Sequence, residues 1–67
     1  MSSWNAEQPL TSRETQVADL VCQGHPNKLV AQILNLAEGT VKAHLHAIFQ
    51  KLDVGSRMAL IVKLSDR

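Results

Sequence analysis

The segment that decides the fold spans residues 27–52 and reads NKLVAQILNLAEGTVKAHLHAIFQKL. Its beginning has the apolar spacing of a two-turn helix over about 27–34, formed by Leu29, Val30, Ile33 and Leu34. A short turn at Asn35 and Leu36 follows, and a longer helix is predicted over about 38–52. On that helix, one apolar stripe is formed by Val41, Leu45, Ile48, Phe49 and Leu52. The whole stripe lies within about 80° of its first member, at about 100° per residue, so it is predicted to face a core.

A preceding helix is predicted over about 12–23. Thr11 and Glu14 have the spacing of a capping box, in which the threonine oxygen accepts the Glu14 amide and the carboxylate accepts the Thr11 amide. Apolar side chains then follow at helical spacing, namely Val17, Leu20 and Val21. Gly24 comes directly after this pattern and is a natural helix end.

A fourth helix is predicted over about 57–65, with Ser56 as its N-cap. Three apolar side chains are expected to pack on the first and third helices, namely Leu60, Ile61 and Leu64. No useful length of the chain alternates with a period of two, so no strand is predicted. The sequence therefore predicts an all-α fold, a four-helix bundle containing a helix-turn-helix.

Length and composition exclude several classes of protein. A chain of 67 residues is one small domain, because such a chain buries only about 60% of its unfolded surface. The single cysteine excludes disulfide scaffolds and multi-cysteine metal sites, and no apolar run approaches the ~20 residues of a membrane span. Residues 1–9 are interpreted as a tail or linker remnant before a domain at 10–67. No residues are arranged for catalysis, so we expect no enzyme activity, metal or cofactor, and a cytoplasmic location.

The side of the 38–52 helix opposite its apolar stripe carries small and polar side chains, namely Gly39, Lys42, Ala43, His46, Ala47 and Gln50. Such a face suits the major groove of DNA, about 12 Å wide, where lysine and glutamine reach base edges and an alanine methyl contacts thymine. An ordinary solvated face of a bundle helix is the alternative at this point. The net charge of +1 neutralises few phosphates, so a single copy is expected to bind DNA poorly.

The order of residues is more specific than these patterns. The informative positions are Leu10-Thr11-Ser12-Arg13-Glu14, Gly24, Asn27-Lys28, Ala31, Leu34, Thr40-Val41-Lys42, His44, Ile48, Lys51-Leu52, Val54 and Arg57. This order resembles the LuxR-type helix-turn-helix domain, the family of NarL-, FixJ- and GerE-like DNA-binding proteins, over about 10–64. The resemblance implies sequence-specific DNA binding in bacterial transcription regulation, either as the output domain of a response regulator or as a free-standing protein.

The resemblance also implies roles for individual residues. The positions matching base contacts in the major groove are Lys42, Ala43 and His46. The positions matching contacts to the DNA backbone are Asn27, Lys28 and Thr40, with Gln50 and Lys51 as further contacts near the far end of the recognition helix. The partners implied are double-stranded DNA, a second copy of the chain on that DNA, and RNA polymerase.

Departures from the family pattern affect two helix starts. Ala37 replaces the serine that usually caps the third helix, which is expected to cost roughly 1 kcal/mol of helix stability. Pro26 stands where a serine or threonine often caps the second helix. Ala37, the replacement of a common glutamate by Leu29, and the low net charge leave an alternative function open. It is a helical protein-interaction module that keeps the scaffold with weak or no DNA binding.

The fourth helix is more apolar than one buried face requires. Its outward side contains Met58, Ala59 and Val62. A small exposed patch of this kind is ordinary in a soluble protein. The family resemblance favours the other interpretation, a dimer interface.

Overall fold

The computed structural model describes residues 10–65. Four helices follow one another in the order α1 (Ser12–Cys22), α2 (Asn27–Leu34), α3 (Glu38–Leu52) and α4 (Arg57–Ser65). No strand occurs within the described residues. The predicted all-α fold is confirmed, and each predicted helix boundary lies within one residue of the observed one. The prediction of a tail at residues 1–9 lies outside the described residues.

The start of α1 is closed by the side chains that the sequence predicted. The Glu14 amide donates to Thr11 Oγ1 at 3.1 Å, and the Thr11 amide donates to Glu14 Oε1 at 2.9 Å. Thr11 itself has an extended backbone, as an N-cap requires. After the helix, Gly24 adopts a φ of 95°, a conformation that residues with a side chain rarely adopt. The capping box and the glycine therefore define this helix at both ends.

The core lies where all four helices meet, and α3 contributes the most buried stripe. The buried apolar residues are Val17, Ala18, Val21, Val30, Ala31, Val41, Leu45, Ile48, Leu52, Leu60 and Leu64. Phe49 and Ile61 are only partly buried at its edge. α3 packs against α1 and α2, whereas α4 packs chiefly against α1. The expected packing of α4 on α1 is observed, and the buried residues that α4 contributes are Leu60 and Leu64.

The apolar stripe predicted for α2 needs one correction. Ile33 was expected in the core, but half of its surface is exposed, whereas Val30 and Ala31 are buried. The face of α2 that meets its neighbours is centred among Val30, Ala31 and Leu34. Ile33 lies about 100° around the helix from that centre, so an eight-residue helix cannot bury it at the same time.

The turn between α2 and α3 depends on a left-handed residue. Asn35 has φ 58° and ψ 48°, a conformation that asparagine tolerates better than most residues. The chain reverses there, and the Leu36 amide donates to the Ala31 carbonyl at 2.8 Å. Glu38 begins α3 three residues later, so the two helices are held in a tight helix-turn-helix.

Candidate nucleic-acid interface

The buried stripe of α3 leaves the opposite side of this helix open to solvent. The exposed residues on that side include Gly39, Thr40, Lys42, Ala43, His46 and Gln50, and Ala47 is partly buried. Every residue of α3 predicted to contact bases is therefore accessible. The orientation follows directly from the burial of the apolar stripe, which seats α3 on α1 and α2.

A groove of about 350 Å³ runs beside this exposed face. It is lined by Asn27, Lys42, Leu45, His46, Phe49 and Arg57. The first residue of α2, the middle of α3 and the first residue of α4 thus meet at one depression in the surface. Two predicted base-contacting residues and one predicted backbone-contacting residue share this groove, whose lining combines cationic, polar and apolar groups.

Two polar side chains on the exposed face of α3 also contact each other. His46 Nε2 and Gln50 Nε2 lie 3.2 Å apart, one helical turn from each other. This contact across one helical turn holds the His46 imidazole on the exposed face of α3.

The two helices of the helix-turn-helix begin without side-chain caps. Pro26 precedes α2 and Ala37 precedes α3, and neither supplies a side-chain hydrogen bond to the helix start. This agrees with the missing caps noted in the sequence. The amides of the first turn of a helix form its positive end and can bind an anion such as a phosphate. Lys28, in the first turn of α2, is exposed beside them.

Arg57 connects the start of α4 to the start of α2. Its Nη1 donates to Asn27 Oδ1 at 2.6 Å, and its Nη2 donates to the His25 carbonyl oxygen. Sequence reasoning assigned no role to Arg57, since the two partners lie thirty or more positions away along the chain. The start of α2, a short helix with few sequence signals, is thereby held by a side chain of α4.

Glu14 and Lys51 form an ion pair between α1 and the last turn of α3. Lys51 Nζ lies 2.7 Å from Glu14 Oε1, and only 8% of the Glu14 side chain is exposed. Burial raises the pKa of Glu14, but hydrogen bonds from Lys51 and the Thr11 amide, with the attraction of the ammonium, outweigh it and leave the pKa below its ordinary value. Lys51, predicted as a DNA backbone contact, is thus already engaged within the domain.

The model of the luxR family of bacterial regulatory proteins, GerE, matches residues 8–64, which is most of the chain. The chain belongs to the luxR family. The resemblance drawn from the order of residues is confirmed.

Curated relatives of this luxR-family domain are regulators by name. It is 43% identical over 54 residues to the HTH-type transcriptional regulator MalT of Vibrio campbellii, covering 81% of this chain and 6% of that protein. It is 43% identical over 53 residues to the nitrate/nitrite response regulator protein NarP of Escherichia coli, covering 79% and 25%. The transcriptional regulatory protein DesR of Bacillus subtilis is 37% identical over 59 residues, covering 88% and 30%. The chain therefore spans less than a third of the length of these relatives.

The outward side of α4 exposes two large apolar side chains of the luxR-family domain. Met58 is 66% exposed and Val62, one turn later, is 59% exposed, while Ala59 is partly buried. These three residues, predicted as a dimer interface, do not take part in the core. The patch is separate from the groove, whose only α4 residue is Arg57.

Within residues 10–65, no three His, Cys, Asp or Glu side chains are grouped so that they could hold a metal ion. Among the same residues, no helix combines the length and the apolar character needed to cross a bilayer.

Proposed function

We propose that this domain binds double-stranded DNA in transcription regulation, with α3 in the major groove. The observation that carries the proposal is the shared groove, because it brings Asn27 to the same surface as Lys42 and His46. A DNA reader needs base-contacting and phosphate-contacting groups on one face, since phosphate contacts fix the register in which bases are read. The names of the relatives as transcriptional and response regulators support the same function.

The proposed base contacts are Lys42, Ala43 and His46. A lysine ammonium donates well to guanine O6 and N7, and an alanine methyl packs on the methyl group of thymine. The His46 imidazole, held by Gln50 at Nε2, can hydrogen-bond to a base edge through its other ring nitrogen. All three side chains are accessible on the same side of α3.

The proposed phosphate contacts surround the reading face, by which we mean Lys42, Ala43 and His46. Asn27 and Lys28 lie at the uncapped start of α2, where side-chain donors and helix amides can bind one phosphate together. Thr40 lies in the first turn of α3, and Gln50 lies in its last turns. Lys51 is expected to contribute least, because its ammonium already pairs with Glu14.

We further propose that two copies bind together through Met58, Ala59 and Val62. A second copy doubles the phosphate contacts, which the net charge of +1 makes few for one domain. The relatives NarP and DesR are named as regulatory proteins and are several times longer than the matched segment. An output domain of a response regulator, acting in the bacterial cytoplasm and with RNA polymerase as a further partner, is the proposed context.

A salt titration with a matched control tests DNA binding. Fluorescence anisotropy of a mixed-sequence 24-bp duplex is measured at several salt concentrations for the wild type, Lys42→Ala and Lys63→Ala. The logarithm of the affinity of the wild type should fall linearly with the logarithm of the salt concentration. Lys42→Ala should bind about tenfold more weakly. Lys63 is exposed on α4 outside the groove, so its removal should cost far less.

Negligible binding that does not respond to salt would contradict the proposal. A helical protein-interaction module on the same scaffold would then be the better account. Equal losses in Lys42→Ala and Lys63→Ala would show a diffuse attraction of charges and no reading face.

The proposed dimer interface has its own test. Met58→Glu should shift sedimentation toward the monomer and remove cooperative binding to DNA, because a carboxylate cannot be buried unpaired between two copies. Gln16→Glu, an exposed change of the same charge on α1, should leave both measurements unchanged. Identical sedimentation and cooperativity in wild type and Met58→Glu would rule this interface out.

A further inference from the structure

We propose that Arg57 is a positioning residue of the DNA interface, which holds the Asn27 amide so that its nitrogen faces a DNA phosphate. The inference rests on the proposed function, since it concerns how the start of α2 meets the DNA backbone. Arg57 acts here through Asn27 and does not itself contact the phosphate.

The chemistry of the pair decides the orientation of Asn27. A guanidinium has five N–H donors and no acceptor, so the atom of Asn27 that faces it must be the amide oxygen. The observed bond, from Arg57 Nη1 to Asn27 Oδ1 at 2.6 Å, agrees with this requirement. The amide nitrogen then lies on the other branch of the side chain, and it makes no hydrogen bond among residues 10–65.

This orientation matters because an amide can present either of two opposite groups. Without a partner, Asn27 could rotate and offer its oxygen, which is an acceptor and repels a phosphate oxygen. Fixed by Arg57, it offers two N–H donors at the surface. The positioned side chain is therefore ready to bind an anion before DNA arrives, and it loses less freedom on binding.

The second bond of Arg57 secures the backbone that carries Asn27. Nη2 donates to the carbonyl of His25, two residues before α2 begins. Pro26, between these two partners, provides no side-chain cap, so the guanidinium supplies from α4 a restraint that the start of α2 lacks. The planar fork holds two acceptors at once, which the single ammonium of a lysine cannot do in the same geometry.

The position of this pair links it to the reading face. Asn27 and Arg57 line the same groove as Lys42 and His46. Arg57 thereby holds Asn27 of α2 in the groove that the base-contacting groups of α3 also line. Loss of the fork should disturb phosphate binding while the buried core remains in place.

The decisive variant keeps the charge and removes the fork. Arg57→Lys, Asn27→Ala and the double variant are compared with the wild type, using the full chain and the 24-bp mixed-sequence duplex at several salt concentrations. We expect each single change to weaken binding about fivefold, with the salt slope of Arg57→Lys unchanged because no charge is lost. In the Asn27→Ala background, Arg57→Lys should cost at most about twofold, since its main partner is already absent.

Two results of this experiment would overturn the proposal. Wild-type affinity in Arg57→Lys would mean that any cation suffices at this position, as for a direct phosphate contact. Effects that multiply in the double variant would mean that the two residues act independently. Arg13→Lys, an exposed change of the same type on α1, serves as the control and should leave the affinity unchanged.

A second variant separates positioning from folding. Asn27→Asp keeps an acceptor for Arg57 and turns the bond into a charge-assisted one, but it removes the amide donors. Its melting temperature should equal or exceed that of the wild type, while DNA affinity falls more than tenfold. A residue with a merely structural role would not separate these measurements. Unchanged DNA affinity in Asn27→Asp would overturn the proposal even if Arg57→Lys fails to fold.

A measurement without DNA distinguishes failure of this inference from failure of the proposed function. In ¹⁵N NMR spectra of the free protein, the two side-chain amide protons of Asn27 should shift strongly in Arg57→Lys and remain in place in Arg13→Lys. If the wild type binds no DNA, the proposed function fails and the inference fails with it. If the wild type binds DNA and the Asn27 resonances are unchanged in Arg57→Lys, the inference alone fails.

Discussion

The helices of this domain begin in two different ways. At α1, Thr11 and Glu14 satisfy the first amides with their own side chains, and at α4 the Ala59 amide donates to Ser56 Oγ at 3.1 Å. At α2 and α3, the N-cap positions are Pro26 and Ala37, which provide no such bond. The first pair of helices lies outside the helix-turn-helix, which the second pair forms.

The difference between capped and uncapped helix starts affects both helix stability and the proposed binding of phosphate. We call the capped starts of α1 and α4 closed and the uncapped starts of α2 and α3 open. Each open start lacks about 1 kcal/mol of helix stabilisation that a side-chain cap provides. The open starts in return expose amides and the positive end of the helix dipole at the proposed DNA surface, where a phosphate can take the place of the cap. Side-chain caps are therefore found at α1 and α4, and the helix starts proposed to meet DNA are those of α2 and α3.

The largest effect is expected at the closed start of α1. Glu14→Ala should lower the free energy of unfolding by about 2–3 kcal/mol, because it removes the carboxylate that accepts the Thr11 amide and leaves the partly buried Lys51 ammonium unpaired. Urea denaturation measures the change. Asp19→Ala, an exposed acid on the same helix, should change it by less than about 0.5 kcal/mol. Equal effects of the two variants would show that the capping box and ion pair do not stabilise the domain.

Acid should weaken the same end of the molecule. The pKa of Glu14 is lowered in the folded state from its ordinary 4.5, so the stabilisation is present above that pH. It should be lost progressively as the pH falls through 4.5 and then through the lower pKa of the folded state. Glu14→Gln should remove this part of the dependence when unfolding is measured between pH 6 and pH 3. An unchanged pH profile in Glu14→Gln would contradict the assignment.

Removal of the cap alone should have a smaller effect. Thr11→Ala should cost about 1 kcal/mol in the free energy of unfolding, since the Glu14 amide loses its acceptor. Ser12→Ala, the exposed neighbour inside the helix, should be nearly neutral. A Thr11→Ala variant as stable as Ser12→Ala would mean that the start of α1 is not closed in the manner described.

The smallest predicted change closes an open start. Ala37→Ser should raise the free energy of unfolding by about 0.5–1 kcal/mol, because the hydroxyl can accept an amide of the first turn of α3. Ala43→Ser, within the same helix, cannot act as a cap and should bring no gain. If Ala37→Ser brings no gain either, the first amides of α3 already have partners and the contrast with α1 disappears.

Local signals were sufficient to predict the helices. The capping box of Thr11 and Glu14, the Asn35 turn and the apolar period of α3 each depend on residues within a few positions of one another. The burial of Ile33 was predicted wrongly, because the apolar residues of a short helix are compatible with more than one buried face. The packing of α2 against α1 and α3 determines which face is buried. The partial burial of Phe49 at the groove has the same origin.

The site was predictable to a different extent. The exposed face of α3 follows from its buried stripe, so the accessibility of Lys42 and His46 could be foreseen. The bonds of Arg57 and of Lys51 could not, because they join positions 30 and 37 residues apart. Such contacts depend on how whole helices pack, which no local pattern encodes. The resemblance to the family supplied the candidate roles, and their assignment to DNA atoms stays a prediction.

One NMR titration tests the central claim that the open starts and the exposed face of α3 form a DNA surface. Amide shifts of the ¹⁵N-labelled chain are followed as duplex DNA is added at low salt. The account predicts the largest shifts at Asn27, Lys28 and residues 38–46, with little change at residues 12–15 of the closed start. Shifts concentrated at residues 12–15, or no shifts at all, would contradict it.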